Sequence, residues 1–105
     1  MPIRRAFVLA TDANYFFLAK GLVLSIDERT RALFDCFVVD IGLDDPARDW
    51  FAAHGVTVTR FDRKRHVYLL PEDQLPPYAD AQLCRPFLRE MLPGYDVYLW
   101  CDADF

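Results

Sequence analysis

Long apolar runs alternate with stretches of helical periodicity through the first half of the chain. The run from Arg5 to Thr11 has no break and predicts an interior strand. A helix is predicted from about Ala13 to Glu28, because four apolar residues recur there at helical spacing: Tyr15, Leu18, Leu22 and Ile26. A second strand is predicted from Leu33 to Ile41, just before Gly42.

Residues typical of helix ends set the limits of a second helix, and a third strand follows it. Asp45 followed by Pro46 predicts the beginning of a second helix, with Asp45 as its N-cap. Gly55 is predicted to end this helix, and four residues form its apolar side: Ala47, Trp50, Phe51 and His54. The alternation from Val56 to Phe61 predicts a short third strand.

The pattern changes in the second half of the chain. Residues 62–78 contain three prolines, which predict a long loop. This loop holds a basic cluster, either a solvated surface or a phosphate-binding group: Arg63, Lys64, Arg65 and His66. Helical periodicity returns after Asp80, with the regular helix beginning near Pro86 and ending at Pro93-Gly94. The apolar run Val97 to Cys101 then predicts a fourth strand, central and covered on both faces.

The alternation of strands and helices at these intervals indicates the fold class. Strands linked by helical crossovers pair in parallel, so the chain is predicted to form an α/β, Rossmann-like open sheet with helices on both faces. A length of 105 residues allows one domain, which we take as residues 1–105.

Composition restricts the partners. A net charge of −4 argues against nucleic acid as the main ligand, and no apolar stretch approaches the about 20 residues that a membrane span needs. The three cysteines (Cys36, Cys84 and Cys101) are an odd number without C-x-x-C spacing, which favours buried thiols in a reducing compartment. We therefore expect a soluble, cytoplasmic protein.

The fourth strand ends in two carboxylates, Asp102 and Asp104, and these are the strongest chemical signal. In an extended chain, alternate side chains point the same way, so both acids can reach one point. Two carboxylates at the end of a buried strand cost free energy unless a cation neutralises them. A hard divalent metal that also binds phosphate oxygens would be a suitable cation. Two alternatives are the polar start of a loop that caps a helix, and the nucleophile motif of haloacid-dehalogenase-type phosphatases, which lies on the first strand in that family.

A second group of candidate residues follows strand one. Ligands of open parallel sheets bind beyond the carboxyl ends of the strands, where strand order reverses. If strands one and four are neighbours, Thr11, Asp12 and Tyr15 border the same crevice as the acid pair. In that crevice, the Tyr15 ring and the Asp12 carboxylate could contact a nucleobase. The free N–H groups at the beginning of the first helix favour an anion. Core packing of Tyr15 and simple helix capping by Asp12 are the structural alternatives.

Three segments in order carry a family resemblance. Leu9-Ala10-Thr11-Asp12-Ala13-Asn14-Tyr15 resembles the opening of the family 8 glycosyltransferases. The segment from Cys84 to Leu99, with Arg85, resembles the Arg-bearing helix of that family and its approach to the D-x-D strand. Trp100-Cys101-Asp102-Ala103-Asp104 resembles the D-x-D motif itself. Together these segments bracket nearly the whole chain.

The resemblance implies the nucleotide-sugar-binding half of an A-type glycosyltransferase domain, with strand order 3-2-1-4. Asp12 and Tyr15 would contact the nucleobase, usually uracil, next to Thr11, and Arg85 would approach the donor diphosphate. Asp102 and Asp104 would bind Mn²⁺ or Mg²⁺ on the diphosphate of a UDP-sugar, for transfer of a hexosyl group to an acceptor hydroxyl. The family pattern continues past the D-x-D with acceptor-site strands and a metal-binding His, to which neither His54 nor His66 corresponds.

These departures lead to two competing hypotheses. The first is a donor-binding fragment, truncated at its C-terminal end, that binds donor without transferring sugar by itself. A truncated sheet would expose an unpaired edge or a bare apolar face, so self-association is expected. The second is a small non-catalytic α/β structural or interaction module in which the D-x-D is incidental.

Overall fold

The sheet is parallel throughout and has the strand order β3-β2-β1-β4. The structure is a computed structural model that describes residues 3–60, 84 and 87–101. Its strands are β1 (Arg5–Thr11), β2 (Asp35–Asp40), β3 (Val56–Arg60) and β4 (Val97–Trp100). Its helices are α1 (Phe16–Ser25), α2 (Glu28–Leu33), α3 (Asp45–Ala53) and α4 (Leu88–Met91). The predicted fold class and strand order are confirmed.

Helices cover both faces of β1 and β2, so the core has two layers. On one face, Phe7 and Leu9 of β1 pack with Val23 of α1 and Phe51 of α3. On the other face, three buried strand residues (Ala6, Val8 and Val39) pack with three residues in and around α4: Cys84, Leu88 and Leu92. Burial on both faces explains the unbroken apolar runs of these two strands. No helix within these described segments is long and apolar enough to cross a membrane.

The amino-terminal end of β4 is fastened to β1 and β2 by polar contacts. The Asp96 N–H donates a hydrogen bond to the Arg4 carbonyl at 2.8 Å. The Arg4 N–H in turn donates to an Asp96 carboxylate oxygen at 2.9 Å. The Arg4 guanidinium lies 4.6 Å from the centre of the Tyr95 ring, whose hydroxyl donates to Asp35. These contacts fix the entry of β4 into the sheet.

The first helix differs from its predicted bounds and orientation. It begins at Phe16 and ends at Ser25, and a separate helix, α2, follows where continuation to Glu28 was predicted. Its buried residues are Ala19 and Val23, whereas Tyr15 is half exposed. The predicted stripe was wrong for Tyr15 and Leu18, which are exposed, but Leu22 and Ile26 pack against the core. Apolar residues surround nearly the whole helix, so periodicity alone cannot select the buried side.

The N-cap of α3 is Asp44, and the predicted cap Asp45 is the first helical residue. The Asp44 carboxylate accepts a hydrogen bond from the Ala47 N–H at 2.9 Å, while Asp45 pairs with Arg48 on the surface. Pro46 therefore occupies the second helical position rather than the first. The rest of the prediction for this helix holds, since Ala47 and Phe51 are buried and Gly55 follows its end with φ +75°.

Strand β4 is not covered on both faces within the described part of the chain. It is the outermost strand of the sheet there and pairs with β1 alone. Tyr98 and Trp100 pack against the α4 layer, but Val97 and Leu99 on the opposite face are each 45% exposed. The prediction of a central strand rested on hydrophobicity, which does not distinguish a covered face from an exposed apolar one.

Candidate functional site

Strand β4 pairs in parallel with the first four residues of β1. Val8 of β1 is in register with Trp100 of β4, and the Cys101 N–H donates to the Val8 carbonyl at 2.9 Å. β4 therefore ends beside Val8, three residues before β1 ends at Thr11. This confirms the adjacency on which a shared crevice depends. Asp102, Asp104 and Arg85 lie outside the described residues, as does the basic cluster of residues 63–66.

The loop after β1 presents Tyr15 to solvent. Thr11 is buried, and its hydroxyl donates to the Asp12 carbonyl at 3.1 Å. One Asp12 carboxylate oxygen accepts from the Tyr15 N–H at 3.0 Å, so Asp12 closes the turn that leads into α1. The Tyr15 side chain is 50% exposed, which excludes core packing as the reason for its presence. The N-cap of α1 is Tyr15, without a side-chain hydrogen bond, so the alternative that Asp12 caps this helix was wrong; Asp12 closes the turn before it.

The loop after β2 is organised by Asp40, which the sequence analysis did not single out. One oxygen of this carboxylate accepts from the Gly42 N–H at 2.9 Å and the Leu43 N–H at 2.7 Å. The other accepts from Arg48 Nε at 2.8 Å, and Arg60 Nε lies 3.7 Å away. The Asp40 side chain is only 4% exposed. An Asp at the end of a strand with Gly two positions later is the signal that could have identified this turn.

Two backbone hydrogen bonds join this loop to the one that carries Asp12 and Tyr15. The Ile41 N–H donates to the Thr11 carbonyl at 3.2 Å, and the Ala13 N–H donates to the Gly42 carbonyl at 3.0 Å. Gly42 has φ +134°, and a Cβ added there would lie 3.5 Å from the Asp12 Cβ. The distance is an ordinary van der Waals contact, so it is the backbone conformation that favours glycine at position 42.

The Asp40 carboxylate is held in its charged form. Burial by itself would raise the pKa of Asp40, but hydrogen bonds from the Leu43 N–H, Arg48 and the Gly42 N–H outweigh it. The pKa of Asp40 therefore lies below its ordinary value of 3.8. The Arg48 guanidinium, in turn, has a raised pKa, chiefly because of its hydrogen bond to Asp40. The carboxyl edge of the sheet thus carries a fixed ion pair beside the exposed Tyr15 loop.

The described residues alone do not form a metal centre. No group of three or more His, Cys, Asp or Glu side chains converges within the described ranges. The predicted metal ligands Asp102 and Asp104 lie outside these ranges, and carboxylate oxygens are suitable donors for Mn²⁺ or Mg²⁺. Asp12 is the described acid that lies on the neighbouring loop, and one of its oxygens is used by the Tyr15 N–H.

Comparison of the chain with models of protein families, with curated proteins and with solved structures gave no match.

Proposed function

We propose that this chain binds a nucleotide-diphosphate sugar, in the first place a UDP-sugar, through a divalent metal, in the service of glycosyl transfer to an acceptor hydroxyl. The observation that supports this function best is the parallel pairing of β1 with β4. Because β4 runs parallel to β1, the acids that follow β4 in the sequence would lie toward the edge at which the Asp12–Tyr15 loop is exposed. In an open parallel sheet, this edge is where ligands bind.

The nucleobase would lie against the Tyr15 ring. That ring is half exposed at the beginning of α1, and a flat aromatic surface is suited to stacking with a base. The Asp12 carboxylate holds the Tyr15 backbone and has a second oxygen with which to accept a hydrogen bond from the base. Thr11 is buried, so it would act on the ligand only through Asp12, whose carbonyl accepts a hydrogen bond from the Thr11 hydroxyl.

The diphosphate would lie nearer β4, where Asp102 and Asp104 would hold Mn²⁺ or Mg²⁺. In the sequence, Asp102 directly follows Cys101, whose N–H donates to the Val8 carbonyl of β1. When bound, the metal would stabilise the negative charge that develops on the leaving nucleoside diphosphate. Arg85 would add a cation for a phosphate or sugar oxygen.

A calorimetric titration with UDP tests this function, with and without Mn²⁺. We expect binding that requires the metal and is abolished by EDTA. The double variant Asp102→Ala/Asp104→Ala is expected to lose the metal-dependent part of the affinity, and Tyr15→Ala to weaken binding about tenfold, as stacking on one ring predicts. Asp49→Ala, which removes an exposed acid of α3, is the matched control and is expected to bind normally.

Two results would reject the proposal. One is an unmutated chain that does not bind UDP at millimolar concentration in the presence of Mn²⁺. The other is binding that the acid-pair variant and the Asp49 variant retain equally.

A second candidate function is that of a small non-catalytic α/β interaction module, and the exposed apolar side chains favour it. Phe17 and Leu24 of α1 and Val97 and Leu99 of β4 are all substantially exposed. A stable oligomer that does not respond to UDP or metal would support this function. Metal-dependent UDP binding by a monomer would reject it.

A further inference from the structure

We infer that Asp40 is a positioning residue for the nucleotide site, which it shapes by holding the loop that carries Asp12 and Tyr15. This inference rests on the proposed function for the ligand, but the mechanical link between the two loops is a property of the chain itself. Asp40 is not among the residues that would touch the ligand, and it acts through the turn that follows β2.

The first step in the link is the turn after β2. A single Asp40 oxygen accepts two successive backbone N–H groups, those of Gly42 and Leu43, at 2.9 and 2.7 Å. The second oxygen is fixed by Arg48 of α3. A carboxylate held from two sides and 4% exposed has little freedom to rotate, so the turn it closes has one conformation.

The second step is the contact between the turns. The Gly42 carbonyl belongs to the same peptide group as the Leu43 N–H, which Asp40 holds, and it accepts from the Ala13 N–H at 3.0 Å. The peptide of Ala13 is the one directly after Asp12, and Asp12 in turn holds the Tyr15 N–H. A shift of the Gly42 peptide would therefore move the Asp12 backbone and, through it, Tyr15.

Hydrogen exchange measures this link without any ligand. Asp40→Ala is expected to lower the protection of the Ala13 amide at least about tenfold more than that of the Cys101 amide, which bonds to Val8 in β1. Asp40→Asn retains an oxygen for the Gly42 and Leu43 N–H groups while losing the charge, so protection at Ala13 is expected to stay close to that of the unmutated chain. Equal loss of protection at Ala13 and Cys101 in Asp40→Ala would overturn the inference.

The affinity for UDP with Mn²⁺ is the second readout. We expect about a tenfold loss in Asp40→Ala and a smaller one in Asp40→Asn. Tyr95→Phe is the control: it removes a hydrogen bond to Asp35 at the opposite end of the sheet, so it should lower stability and leave affinity unchanged. An equal loss of affinity in the control would show a general stability effect and overturn the inference.

Gly42→Ala keeps the inference testable if Asp40→Ala does not fold. A Cβ at φ +134° beside Asp12 displaces the turn while Asp40 remains, and the same selective loss of protection at Ala13 is expected. A normal Ala13 amide in that variant would contradict the link. If the unmutated chain does not bind UDP, the proposed function fails, and the exchange at Ala13 still decides whether Asp40 positions this loop.

Discussion

Asp40 is the residue with the most concentrated set of polar contacts at the carboxyl edge of the sheet. The groups that face it are the guanidinium of Arg48, the more distant guanidinium of Arg60, and two backbone N–H groups. Asp45 acts on it only through Arg48. The pKa of Arg48 is raised, chiefly by its hydrogen bond to Asp40, so Asp40 is the member of this ion pair that loses its charge in acid.

The stability of the fold should therefore decrease in acid partly through Asp40. Its folded-state pKa is below the ordinary value of 3.8, so its contribution is complete above that pH and is lost as the pH falls through the folded-state pKa. Urea unfolding of the unmutated chain and Asp40→Asn should give free energies that differ by about 2 kcal/mol at neutral pH. The difference should narrow below pH 3.8. A difference that is constant across this range would contradict the assignment.

At the scale of elements, a capping aspartate marks the beginning of α2 and of α3. Asp27 accepts from the Thr30 N–H at 2.7 Å and starts α2, and Asp44 starts α3 in the same way. The hydrogen bond from the Thr30 backbone holds the pKa of Asp27 below its ordinary value. In both cases, the side chain satisfies a backbone donor that the first helical turn leaves open.

The pair Asp44 and Asp45 gives a direct test of the capping geometry. Asp44→Ala should lower the free energy of unfolding by about 1 kcal/mol, because the Ala47 N–H loses its acceptor. Asp45→Ala removes a surface ion pair with Arg48 and should cost about 0.5 kcal/mol or less. Chemical denaturation of both variants measures the two losses. A larger loss of unfolding free energy in Asp45→Ala than in Asp44→Ala would identify Asp45 as the cap instead.

The element boundaries show what the sequence could and could not predict. β1 was predicted with its observed bounds, Arg5–Thr11, because a run buried on both faces leaves an unambiguous apolar signal. α2 was missed because its six residues are mostly polar and none is buried, so it has no periodicity to detect. The half-exposed Tyr15 was assigned to a buried stripe because α1 is apolar on nearly every side.

At the scale of the whole molecule, strand order was predictable and the exposure of β4 was not. The crossovers predicted a parallel sheet, the family resemblance implied the order 3-2-1-4, and the structure has that order. Whether Val97 and Leu99 are covered depends on what packs against them, which the residues of the strand do not encode. For the same reason, the organising role of Asp40 required three-dimensional contacts between segments distant in the chain.

The exposed face of β4 bears on the expectation of self-association, which stays a prediction. Leu99→Lys replaces a 45% exposed apolar side chain with a charge, so it should lower any association measured by analytical ultracentrifugation while changing the free energy of unfolding little. Thr57→Lys adds the same charge to an exposed position of β3 and is the control. An equal effect of both variants would assign the change to net charge instead of the apolar face.

The joining of β1 to β4 also has a consequence for synthesis on the ribosome. Arg4 and Asp96, which bond across this junction, are 92 residues apart in the chain. At about 5–20 residues per second, about 5 to 18 s pass between the emergence of the first strand and that of its outer neighbour. During this interval, the hydrogen-bonding edge of β1 has no native partner, and the nascent chain is most open to chaperones and to mispairing.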